Sequence, residues 1–428
     1  MQNLSFGPLS QRDQKVIWHP FTQHQIEPQS IAIQSGKGAL LFDENGNEII
    51  DAISSWWVSI HGHGNEYLAQ KIYEQAIQLE QVIFAGFTHP QAIKLSERLL
   101  KKLPNTAEKL FFSDNGSTAV EVAIKMALQY FFNIGQPEKR KILAFEDAYH
   151  GDTFGAMSLG APSSFNAPFQ DMLFEVDFLP SPTEPEKCLE VFKEKMNNAD
   201  NYAAFIFEPL IQGAGGMKMY SPDLLNDLIQ LSKSKQIFTI ADEIMTGFGR
   251  TGKFFAIDYL NQKPDIICMS KGLTGGMMAM GITSCSNQVF EAFLSNDRSK
   301  TLFHSHSFTG NPLACAAANA SLDLFENENI FEKIEKINHS HQNWKNKIQQ
   351  NQNFKNIRIL GTIIALELTT NEKSGYLNSK RDLIYTHCLQ NGVLLRPLGN
   401  TIYILPPFVI QQKELNKIYQ VIEEIPMN

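Results

Sequence analysis

Six short apolar runs recur between residues 109 and 285, separated by longer stretches with helical spacing. They are KLFFS (109–113), KILAFE (141–146), AAFIFEP (203–209), FTIADE (238–243), DIICMS (265–270) and GITSC (281–285). Runs apolar at nearly every position read as strands covered on both faces, the habit of a parallel sheet wrapped by helices. The spacing predicts helices over 66–82, 90–103, 117–132, 222–235 and 311–326. Together these give an α/β fold with a mostly parallel central sheet, in which GITSC is the plausible exception to the parallel run.

Beyond residue 326 the character changes. A polar helix rich in Asn, Lys and Gln (327–352) leads into GTIIALEL (361–368), a helix (379–391) and two short strands, VLLRP and TIYILPP. The stretch GALLFDENGNEIIDA reads as a hairpin turning at Asn45–Gly46. The expected organisation is an arm and strands over 1–60 that pack with the small domain, a large ligand-binding domain over 61–326, and a smaller α+β domain over 327–428.

With 428 residues, 43% of them hydrophobic and 19% charged, the chain can build a large core. A net charge of −8 argues against nucleic acid or an anionic membrane as main partner. The five cysteines lack metal-site spacing, so free thiols in a reducing compartment are expected. No apolar run is long enough to span a bilayer. The start has no basic stretch followed by an apolar core, so no signal peptide is expected. A soluble cytoplasmic protein that takes small-molecule substrates is the expectation.

In such sheets ligands sit beyond the carboxyl ends of the strands. FTIADE ends in Asp242 and Glu243, which suit an ion pair, a metal site or a partner for a protonated heterocycle. No cluster of further carboxylates or histidines supports the metal. DIICMS is followed by Lys271 and then by Gly272, Gly275 and Gly276; a Walker loop would put its glycines before the lysine. A solvated lysine and one that carries a cofactor covalently both remain open. Asn115–Gly116–Ser117–Thr118 opens a helix after a strand, either as a plain cap or as an anion site. Tyr149 ends another strand with a flat face available to a ring, and Asp152 follows one turn later. An imine-forming lysine, an acid for a pyridine nitrogen, a stacking aromatic and a phosphate cradle together describe a pyridoxal-phosphate site, with no metal.

The segments IADEIMTGFGRTGKFFA (240–256) and PDIICMSKGLTGG (264–276) resemble the signature of class III pyridoxal-phosphate aminotransferases of fold type I, and the likeness runs from about residue 18 to 408. The resemblance implies that pyridoxal 5'-phosphate is carried as an imine on Lys271. It also implies that Asp242 pairs with the pyridinium, Tyr149 stacks on the ring, and Gly116 with Ser117 binds phosphate. HSHSFTGNPLACAAA (304–318) looks like a loop that reaches the neighbouring subunit's phosphate through Ser307, which implies a homodimer with shared active sites.

Four further segments, IWHPFTQ (17–23), DAISSWWVSIHGHGN (51–65), AVEVAIKMALQYF (119–131) and VLLRPLGNTIYILPP (393–407), resemble a branch of this class that serves biotin biosynthesis. That branch aminates a long aliphatic amino-keto acid with S-adenosylmethionine as donor. The likeness implies substrate contacts from Phe21, Trp56, Trp57, Asp152 and Arg396, with Arg396 suited to a carboxylate. In a regular strand Trp56 and Trp57 could not both face the core. Phe21 stands where the family usually has Tyr, and Ser305–His306–Ser307 where it usually has Gly-Pro-Thr. These departures bear on the amino donor. The alternative is another class III ω-aminotransferase, acting on ornithine, a diamine, γ-aminobutyrate or lysine. Arg250, in GFGRTG, matches a family arginine near the site or is structural.

Overall fold

A computed structural model describes residues 7–27, 29–372, 374–375 and 377–426. The chain divides into two compact units, Tyr67–Ile334 and a second formed by Met1–Glu66 with Glu335–Asn428.

Seven strands form the sheet of the first unit, in spatial order Ala107–Ser113, Gly281–Ser286, Ile266–Met269, Phe238–Asp242, Tyr202–Phe207, Lys141–Phe145 and Val176–Leu179. Gly281–Ser286 runs antiparallel to both neighbours, while the other described pairs are parallel. GITSC is therefore the exception that its position suggested. Tyr202–Phe207 and Phe238–Asp242 are buried along their whole length, as continuous apolar runs require. Val176–Leu179 was not legible in advance. It lies at the sheet edge, only partly buried, and carries Asp177 in a run too short to show a period.

The helix Gly116–Asn133 packs its apolar side on this sheet, burying Val120, Ala123, Ile124 and Ala127 among others. Phe131 lies 5.4 Å from Phe238, and Tyr130 meets Phe238 edge-on at 4.6 Å. Truncating a packed ring such as Phe131 to Ala costs about 3–5 kcal/mol. This contact fixes the far end of the helix, and so aims its first turn at the carboxyl end of the sheet.

In the second unit, Ile33–Lys37, Leu40–Asp43 and Glu48–Asp51 form an antiparallel meander, and Val393–Leu394 joins Glu48–Asp51 in parallel. Asp43 accepts from the N–H groups of Asn45 and Asn47, which closes the turn at Gly46. A second sheet pairs Phe354–Leu360, Ile363–Leu368 and Thr401–Ile404 antiparallel. The polar helix Ile330–Ile348 places Trp344 flat against Tyr419, 4.4 Å away.

Candidate active site

Adjacent parallel strands set the chemistry of the first unit. Asp242 pairs with Cys268 in register, three residues before Lys271, and Ala241 pairs with Phe207, one residue before Glu208. Asp242, Lys271 and Glu208 thus leave the sheet side by side at its carboxyl end.

The consecutive acids Asp242, which ends its strand, and Glu243, just past it, meet different partners. Glu243 is fully buried and accepts from the Thr246 hydroxyl at 2.5 Å and the Ile257 N–H at 2.7 Å. Burial pushes its carboxyl up to about 7. Asp242 Oδ1 accepts from the Ile244 N–H at 3.1 Å, and Oδ2 lies 2.7 Å from Nδ1 of the buried His150. A carboxylate only accepts, so His150 donates from Nδ1. Its Nε2 is buried and has no hydrogen-bond partner among the described residues.

Lys271 has φ +47°, a left-handed conformation uncommon outside glycine. Such strain is held where the surrounding structure over-determines the backbone. Burial of its amine, helped by the buried Arg250, lowers it to about 8 against the opposing pull of Asp242 and Glu208. Glu208 accepts from the Tyr149 N–H at 3.2 Å and the Gly213 N–H at 2.8 Å, and burial raises its carboxyl to about 7.

The first turn of Gly116–Asn133 is both capped and open. Asn115 accepts from the Thr118 N–H at 3.0 Å, and its own N–H donates to the Thr118 hydroxyl at 3.0 Å. Asn115 and Thr118 are therefore spent on the cap, with Gly116 and Ser117 between them in the first turn. The Tyr149 loop lies directly on them. Asp152 N–H donates to Ser117 Oγ at 3.2 Å, and a Cβ on Gly151 (φ +139°) would stand 2.2 Å from that oxygen. Tyr149 is half-exposed, and burial, followed by the adjacent Asp152, raises its phenol far above its ordinary value. Ser307 is exposed, and its carbonyl accepts from Gln81 Nε2 at 2.8 Å.

In the second unit the tandem tryptophans lie on a tight turn, not a strand. Ser54, Ser55 and Trp57 all have positive φ, and Asp51 holds the turn through the Ser55 hydroxyl at 2.9 Å. Trp57 is buried and donates from Nε1 to the Tyr403 hydroxyl at 3.2 Å. Trp56 is exposed, with Phe21 tilted against it at 5.7 Å and the Arg396 guanidinium 4.8 Å above its ring. Arg396 also donates to the Phe21 carbonyl at 3.4 Å.

Sequence reasoning passed over His150 and Glu208. His150 carried no spacing signal, whereas Glu208 ends an otherwise apolar strand and could have been noticed on that ground.

The family model described as Aminotransferase class-III matches residues 21–425. The chain belongs to the class-III aminotransferase family. A relative from Synechococcus elongatus named adenosylmethionine-8-amino-7-oxononanoate aminotransferase is 45% identical over 96% of this chain and 98% of its own length. A solved structure of an enzyme with that name from Methanocaldococcus jannaschii superposes with TM-score 0.93 at 33% identity, covering 98% of this class-III chain and 99% of that one. An amine transaminase from an uncultivated Pseudomonas species, solved in its PLP-bound form, superposes with TM-score 0.89 at 28% identity over 95% and 97% of the two chains.

Proposed function

We propose that this class-III aminotransferase converts 8-amino-7-oxononanoate to 7,8-diaminononanoate in biotin biosynthesis, with pyridoxal 5'-phosphate as cofactor and S-adenosylmethionine as amino donor. The observation that carries this reading is 45% identity to a relative of that name along almost the full length of both chains.

The donor set fits the cofactor. Gly116 and Ser117 offer N–H groups for its phosphate, Asp242 a carboxylate for its ring nitrogen, Tyr149 a face for the ring, and Lys271 an amine for its aldehyde. Gly151 keeps the Tyr149 loop close enough to complete the cradle. Bound there, pyridoxal phosphate supplies an aldehyde and an electron-withdrawing ring.

This chain's residues do the rest. With its amine lowered to about 8, Lys271 is neutral in an appreciable fraction near neutral pH, and Nζ can take a proton from the donor's α-carbon and return it. Asp242, oriented by His150, keeps a proton on the ring nitrogen. Arg396, steadied on Trp56, takes the keto acid's tail carboxylate; Phe21 and Trp56 offer the apolar wall. For Trp57 the reading is support of the turn from within. Asp152 acts on the phenol of Tyr149, and Ser307 completes the phosphate site of a second copy in a cytoplasmic homodimer.

Purified enzyme given 8-amino-7-oxononanoate and either S-adenosylmethionine or lysine tests the reading, with the diamine product measured by mass spectrometry. Product with S-adenosylmethionine supports it. Product with lysine alone replaces the donor, and absence of product with both overturns the substrate.

A further inference from the structure

His306, where the chain departs from the family's usual loop, sits in a line of polar contacts that the proposed chemistry does not use. Lys125 Nζ, on the helix Gly116–Asn133, lies 3.2 Å from His304 Nδ1. His304 Nε2 lies 2.9 Å from His306 Nε2, and His306 Nδ1 lies 3.5 Å from Asp114 Oδ2. A lysine ammonium has donors and no acceptor, so His304 Nδ1 is bare and its proton sits on Nε2. That N–H donates to His306 Nε2, which is therefore bare as well. The His306 proton is then on Nδ1 and faces the carboxylate. One protonation pattern satisfies every contact, and in it both imidazoles are neutral.

We propose that Lys125, His304, His306 and Asp114 form a one-way relay that positions the phosphate cradle at Gly116–Ser117. Asp114 directly precedes Asn115, whose side chain caps the cradle helix, so holding Asp114 holds the cap. The loop end of the relay is anchored independently: His306 N–H donates to Thr309 Oγ1 at 2.9 Å, and Gln81 grips the Ser307 carbonyl. The four act on the cradle through the Asn115 cap, so they are positioning residues.

The relay is built to fail in acid. A proton added at His306 Nε2 turns the 2.9 Å link into two opposed donors, and one added at His304 Nδ1 sets an N–H against the Lys125 ammonium. The groups around His304 are Lys125 and Glu121 from the helix, Asp114 from the strand end and His306 on its own segment, with the Phe111 ring edge-on at 6.1 Å. Burial, then Lys125 and His306, lower His304 below its ordinary value against Glu121 and Asp114, which favours the neutral ring that the relay needs.

The inference rests on the reading that Gly116–Ser117 holds the cofactor phosphate. The test compares dissociation of pyridoxal phosphate and of phosphate-free pyridoxal from the enzyme at pH 8 and pH 5.5, by equilibrium dialysis. Wild type is expected to lose pyridoxal phosphate about five- to tenfold more readily in acid, the size of one lost hydrogen bond, with a smaller change for pyridoxal. His306→Phe and Lys125→Met should be weak at both pH values. His306→Gln, which keeps an acceptor and a donor without titrating, should stay tight at both. Wild-type preference for the phosphate with a wild-type profile in His306→Phe and Lys125→Met overturns the relay alone. Equal retention of both compounds by wild type overturns the cradle reading itself.

Discussion

His150 Nδ1 lies 2.7 Å from Asp242 Oδ2 with both side chains out of water. The imidazole fixes the plane of the carboxylate, while the Ile244 N–H occupies its other oxygen. A buried acid restrained at both oxygens presents one edge in one direction, which is what a ring nitrogen needs from its partner. Removing such a buried partner costs about 1–3 kcal/mol. His150→Phe should therefore lower kcat by about five- to 150-fold while folding is retained, and the spectrum of the bound cofactor should shift. An unchanged spectrum and rate would reduce His150 to packing.

Lys271→Ala removes an amine that burial lowers to about 8. Turnover should fall by at least about 10²–10⁴-fold, the contribution of a positioned proton-transfer group. Cofactor should remain bound without a covalent link, which denaturing mass spectrometry after borohydride treatment reads directly. In wild type, kcat should rise with pH through about 8 as the amine loses its proton. A flat profile across that range would place the proton transfer elsewhere.

Glu243 tests the electrostatics of the core apart from catalysis. Its carboxyl is raised to about 7 in the folded state against an ordinary 4.5, so the native protein binds the extra proton between those values. Stability from this group is present below pH 4.5 and is lost as pH rises through 7. Glu243→Gln cannot ionise. Its Tm relative to wild type should therefore climb between pH 5 and pH 8, as scanning calorimetry would record. A constant difference would mean that the carboxyl ionises as readily in the fold as in water.

Gly151 has no room for a methyl group, and its φ of +139° is strained for any other residue. Gly151→Ala must push the Tyr149 loop off Ser117, at about 1–3 kcal/mol for the backbone alone. The expected result is weakened retention of pyridoxal phosphate, measured by dialysis, together with a lower Tm.

Arg396→Lys keeps the charge but loses the planar fork and its stacking on Trp56. KM for the keto acid should rise about tenfold or more, the size of a lost charge-assisted bond. The half-reaction with the amino donor should change less; equal losses in both halves would remove Arg396 as the keto acid's anchor.

The strands that build the sheet were legible because each is apolar along its length, and full burial leaves that mark whatever the neighbours are. Lys271 and Asp242 stood out as candidates for a related reason, since charge at the end of an apolar run is costly unless it is paired. Val176–Leu179 escaped because an edge strand is half wet and shows no continuous run.

What the sequence determined by itself was the layered α/β design and the strand ends at which Asp242 and Lys271 stand. The tertiary structure alone decided that Asp242 pairs with His150, that Trp57 turns inward while Trp56 stays out, and that Lys125, His304, His306 and Asp114 meet. Those outcomes depend on sheet register, positive-φ turns and contacts between residues as far apart in sequence as Trp57 and Tyr403, 346 positions. Local propensity carries no information about such pairings, because they are fixed only when the core has closed.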